Sequence, residues 1–108
     1  LLKKDMAPTN TLEFQDLKID LAARKATHNK IEIELTRQEF DLLSYLLENS
    51  GNVLTKKELL EEIWEILHPT EEDVNKVEVY IGYLRKKLKP FNLDVYINTV
   101  RGFGYRWN

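Results

Sequence analysis

The chain has 108 residues, 43% of them hydrophobic, which suits one domain with a single core. Sixteen Lys and Arg against 18 Asp and Glu give a formal charge of −2, which by itself speaks against a strongly basic binder of polyanions. The absence of cysteine excludes disulfides, cysteine-ligated zinc and thiol nucleophiles, and no apolar run approaches the roughly 20 residues of a membrane span, so no membrane partner is expected.

The charge is segregated along the chain. Residues 1–36 are balanced, residues 37–73 carry three basic and ten acidic side chains, and residues 74–108 carry seven basic and two acidic. A −7 middle and a +5 end therefore cancel in the total. Asymmetry of this kind admits a polyanion partner for the basic end, and equally an ordinary solvated face.

Residues 1–10 contain a proline and small polar residues without a sustained period, and read as a tail or linker. From residue 11 to 35 the apolar residues recur at alternate positions: Leu12 and Phe14, then Leu17, Ile19 and Leu21, then Ile31, Ile33 and Leu35. Period two predicts about four short antiparallel strands with one wet face, and His28-Asn29-Lys30 is a plausible hairpin turn. The period then turns helical. Thr36-Arg37-Gln38-Glu39 fits a capping box, followed by Phe40, Leu43, Leu46 and Leu47 on one stripe and a stop at Asn49-Ser50-Gly51-Asn52. After an extended Val53-Leu54-Thr55, a second capping box at Thr55-Lys56-Lys57-Glu58 opens a helix carrying Leu59, Leu60, Ile63 and Trp64. Residues 65–73 then read as an acidic loop with a helical turn at its end.

A third helix is predicted over residues 74–88, with Val74, Val77, Ile81, Leu84 and Leu88 spaced three and four apart and Pro90 as its stop. Its other face holds Asn75, Val79, Gly82, Tyr83 and Lys86, flanked by Tyr80, Arg85 and Lys87. Gly82 in a helix interior costs about 1 kcal/mol relative to Ala, which fits either a close approach by another molecule or a tolerated mild defect. Residues 95–107 read as strand, Gly-rich turn and strand, a hairpin with Arg101 at its tip.

Catalytic signals are weak. His28 and His68 lie in a turn and a loop without metal-ligand spacing, and neither Ser44 nor Ser50 sits in a nucleophile-elbow pattern. No cofactor is expected. Binding fits better: two helices joined by a loop, the second with basic residues on its polar face, suit a helix-turn-helix whose second helix enters the roughly 12 Å major groove. An Arg-tipped hairpin suits the neighbouring minor groove.

The order of the elements, with TRQEF, LTKKELLEEIW, VEVYIGYLRKKL and TVRGFGYRW, closely resembles the winged-helix effector domain of OmpR/PhoB-type bacterial response regulators over residues 11–108. The resemblance implies an α+β winged helix-turn-helix: a four-stranded antiparallel sheet, three helices and a C-terminal hairpin wing. It implies sequence-specific binding of double-stranded DNA for control of transcription in a bacterial cytoplasm, without enzymatic activity. Phosphorylation would act through a receiver domain preceding this chain, of which residues 1–10 would be the end and linker.

The resemblance also implies residue roles. Asn75, Val79, Tyr80, Gly82 and Tyr83 would face the groove, with Arg85, Lys86 and Lys87 beside them. Arg101 would enter the minor groove, with Thr99 near the backbone. Trp64 would offer its indole N–H to a phosphate, although it also continues an apolar stripe. Loop 65–73 would contact RNA polymerase in some members, and copies would pair on repeated half-sites. Many members place arginines where this chain has Gly82 and Tyr83, and a phosphate-binding Arg where it has Asn75. A bidentate guanine contact from positions 82 and 83 is therefore not implied. The rival class is a winged-helix protein-interaction module that does not bind DNA.

Overall fold

Four short strands open the fold because alternate apolar residues must share one face. These are β1 (Thr11–Phe14), β2 (Leu17–Asp20), β3 (Lys25–His28) and β4 (Ile31–Ile33), paired antiparallel in chain order. The computed structural model describes residues 10–108; the tail or linker expected before them lies outside the described residues, apart from Asn10. The register puts Leu12 opposite Ile19, Ile19 opposite Ala26 and Ala26 opposite Ile33. That row is the inner face, and Leu17, Ile19, Ala26 and Ile33 are buried. The expected turn after β3 is formed by Asn29 and Lys30, both at positive φ, the backbone that a two-residue hairpin needs.

Both predicted capping boxes form. Thr36 starts α1 (Arg37–Glu48) and Thr55 starts α2 (Lys56–Trp64). A third box starts α3, which runs Glu71–Leu88 rather than 74–88. Thr70 Oγ1 accepts from the Asp73 amide, and Asp73 Oδ2 accepts from the Thr70 amide at 2.9 Å. Asp73 does with a shorter arm what Glu does in the other two boxes. The expected acidic loop 65–73 accordingly shortens to residues 65–70, and α2 closes on Glu65 in a left-handed conformation. Acidic residues fill the first turn of α3, and Arg85, Lys86 and Lys87 fill its last, as the helix dipole favours.

The C-terminal hairpin is β6 (Ile97–Val100) and β7 (Gly104–Trp107). It begins two residues later than expected, because Asp94–Tyr96 forms a 3-10 turn. The extended segment after α1 has a partner that the sequence did not reveal. Leu54 and Thr55 form β5, which pairs with β7 to give a second sheet in the order β5-β7-β6. The two sheets meet through aromatic rings. Trp107 is fully buried, lies edge-on to Phe14 at 5.3 Å and stacks on Tyr96 at 5.6 Å. Between the sheets the core is aliphatic, built on Leu42, Leu43 and Leu46 of α1, Leu59 and Leu60 of α2, and Val77, Ile81, Leu84 and Leu88 of α3.

One buried charge organises this core. Glu39 is 4% exposed. Its Oε1 accepts from the Thr36 amide at 3.0 Å and from Lys87 Nζ at 2.9 Å. Burial alone would raise the Glu39 carboxyl; the hydrogen bonds from Thr36 and Lys87 outweigh it and hold the group below its ordinary value of 4.5. A carboxyl depressed in the folded state contributes stability that is complete above the unfolded value and lost as pH falls through the folded one. Glu39→Gln should therefore destabilise the domain by about 1–3 kcal/mol at pH 7. In urea titrations the gap between parent and variant should narrow as the pH is taken below 4.5. A gap that stays constant into acid would contradict this role.

Candidate nucleic-acid interface

The interface is built on α3 and the wing. With Val77, Ile81, Leu84 and Leu88 turned inward, the helical period turns Asn75, Val79, Gly82, Tyr83 and Lys86 outward, and all five are exposed. Val79 and Tyr83 keep 47% and 50% of their surface in solvent, so apolar side chains sit in the middle of a polar face. An aromatic row backs them: Trp64 lies edge-on to Tyr80 at 5.2 Å, and Tyr80 lies edge-on to Tyr83 at 5.4 Å. Tyr80 is half-buried, so it supports the face more than it presents one.

The wing tip is a three-residue loop, Arg101-Gly102-Phe103, between Val100 and its partner Gly104. Gly102 stands at φ +81°, which side-chain-bearing residues adopt with strain, and the Phe103 amide donates to the Val100 carbonyl at 2.9 Å. This turn leaves Arg101 exposed at the end of the hairpin. Phe103 is 69% exposed beside it.

Arg85 joins the two parts. Its Nη2 donates to the Ile97 carbonyl at 2.9 Å and to Thr99 Oγ1 at 3.0 Å, and its guanidinium lies over the Tyr105 ring at 5.8 Å. Arg85 thus ties α3 to β6 of the wing through Ile97 and Thr99, at the edge of the face. Lys87 differs from expectation. Its ammonium is bound to Glu39 and to the Glu34 carbonyl, toward α1, while its neighbour Lys86 is exposed. The Trp64 indole nitrogen is shielded from solvent and has no hydrogen-bond partner among the described residues, so its donor is left unpaired while its ring packs against Tyr80.

Two features of the face escaped sequence reasoning. One is a cleft between the start of α2 and the wing, lined by Thr55, Lys56, Lys57 and residues 99–104. The other is an ion pair between α2 and α3, with Lys56 Nζ 2.6 Å from Glu78 Oε2. That hydrogen bond to Glu78 raises the Lys56 ammonium above its ordinary value. Charge order along the chain gave no signal for either, because the wing and the two helices meet only in the fold.

Residues 30–107 match the family model described as "Transcriptional regulatory protein, C terminal". The chain belongs to this family. Among its relatives, the response regulator ArlR of Staphylococcus aureus is 45% identical over 94 residues, which is 87% of this chain and 42% of ArlR. This transcriptional regulatory domain thus spans less than half the length of that curated relative. Its fold matches the DNA-binding domain of CpxR from E. coli with a TM-score of 0.81 and 29% identity, over 92% of this chain and 96% of the other. The DNA-binding domain of Klebsiella pneumoniae RstA, solved in complex with the RstA box, matches with a TM-score of 0.78 and 28% identity, over 92% and 97%. The winged-helix architecture inferred from the order of the elements is the architecture of this family.

Proposed function

We propose that this domain binds double-stranded DNA sequence-specifically, with the exposed face of α3 in the major groove and the wing in the adjoining minor groove, as the transcription-controlling effector of a two-component response regulator. The Arg85 clamp carries this reading. A helix face and an Arg-tipped hairpin fixed to one another can engage two neighbouring grooves without paying to align them. The family membership and the RstA complex support the same partner.

A receiver domain preceding this chain, as the length of ArlR suggests, would bring control by phosphorylation. Loop 65–70, with Leu67 exposed at 58%, suits a contact with RNA polymerase. Pairing of copies on repeated half-sites would compensate for the chain's small net charge. Residues 1–10 would be the end of that preceding domain and the linker. The domain acts as a binding module and not as a catalyst, in the bacterial cytoplasm where its DNA lies.

Retardation of genomic fragments in the presence of competitor DNA tests the reading. Saturable, competitor-resistant binding supports it, and no retention even at low salt favours the protein-interaction module. Salt titrations refine it. Lys86→Ala should lower the slope of log K against log salt by about 0.9, the effect of one phosphate contact on B-DNA. Lys87→Ala should leave the slope unchanged and reduce stability instead, since its ammonium is engaged with Glu39. Equal slopes for the Lys86 variant and the parent would remove Lys86 from the interface.

A further inference from the structure

We propose that Glu78 is a base-reading residue of this interface, accepting a hydrogen bond from an exocyclic amino group, cytosine N4 foremost, across the gap that Gly82 leaves in the surface of α3. The proposal rests on the DNA-binding reading of α3 given above.

Three observations converge on one spot. Glu78 and Gly82 are one turn apart and therefore neighbours on the helix surface. Glu78, Val79, Gly82 and Lys86 line a single shallow groove on the exposed face. A Cβ built on Gly82 meets nothing within 4 Å, so nothing in the fold requires glycine there. Glycine weakens a helix relative to alanine, so the position carries a stability penalty that internal packing does not explain. A helix laid in the major groove supplies a reason: without a side chain at residue 82, the base edges come closer to the carboxylate one turn before it.

The carboxylate is prepared for such a contact. It is half exposed, and Lys56 from α2 holds it at 2.6 Å. An uncompensated carboxylate would be repelled by the flanking phosphates; the Lys56 ammonium cancels that charge and restricts the side chain. An ionised carboxylate only accepts hydrogen bonds. In the major groove guanine presents two acceptors and thymine an acceptor and a methyl, so both are disfavoured. Adenine presents its N6 amino group beside the N7 acceptor. Cytosine presents its N4 amino group without that competing acceptor, which makes it the best match.

Selection from a random duplex pool tests this, run with the parent, Glu78→Gln and Gly82→Ala, with thermal unfolding as the check on folding. The parent should select a motif with a cytosine at one α3-contacted position. Glu78→Gln should lose about tenfold of that preference and move it toward adenine, whose N6 and N7 pair with a carboxamide, while the other positions hold. Gly82→Ala should unfold at a higher temperature than the parent yet bind the selected duplex more weakly. A parent motif that Glu78→Gln reproduces unchanged, or one lacking the cytosine, overturns the role of Glu78 and leaves DNA binding standing. A folded parent that selects no motif overturns the DNA-binding reading itself, and this proposal with it.

Discussion

Gly104→Ala should destabilise the domain by more than about 3 kcal/mol, at or beyond the usual cost of overpacking. A Cβ at residue 104 would overlap the Leu54 carbonyl oxygen and approach the Thr55 Cα to 2.9 Å. All of these are backbone atoms, so no side-chain rotation relieves the clash. The pairing of Thr55 with Gly104 and of Leu54 with Tyr105 would have to open. That would detach β5 from the wing and shift the start of α2, whose cap is Thr55. For a domain of this size the loss corresponds to a fall in Tm of about 10 °C or more. A denaturation midpoint within error of the parent would show that β5 does not hold the wing.

The second large effect is on binding. Arg101→Ala should weaken association with the selected duplex by about 1–3 kcal/mol, with the loss concentrated at A·T-rich positions beside the major-groove contact. Stability should not change, because Arg101 stands exposed on a turn shaped by Gly102. Competition between duplexes that differ only in that flanking step separates the two effects. Equal discrimination by parent and variant would leave the wing without a role in reading the minor groove.

Much of this architecture is written in local patterns. Alternation around Leu12, Leu17, Ile19 and Ile33 marks the first sheet, and the two Thr-x-x-Glu boxes mark α1 and α2 because each is complete within four residues. The start of α3 was obscured for an equally local reason: Pro69 signals a break, and Asp73 stands where a capping box usually has Glu or Gln. Other features depend on distance in sequence. Lys87 reads as one more basic residue on a polar face until the fold brings Glu39, 48 positions away, against it. β5 is too short to signal a partner, and β7 lies about 50 residues further on. The pair Lys56–Glu78 spans 22 residues and two helices.

The charge pattern also changes meaning. The +5 of residues 74–108 suggested a basic recognition helix. With Glu71, Glu72 and Asp73 included, α3 carries four acidic and four basic residues and is balanced. Three of its four positive charges lie in the last turn, and one of them, Lys87, is engaged by Glu39. Nonspecific attraction to DNA should therefore be weak, and binding should depend on Arg101, Lys86 and contacts made by the middle of α3.

Footprinting of the domain on its selected duplex tests the central claim most directly. The account predicts saturable protection of one major-groove segment together with the adjoining minor groove, and loss of the minor-groove protection alone in Arg101→Ala. Protection confined to one groove, or none at any concentration that leaves the domain folded, would contradict it.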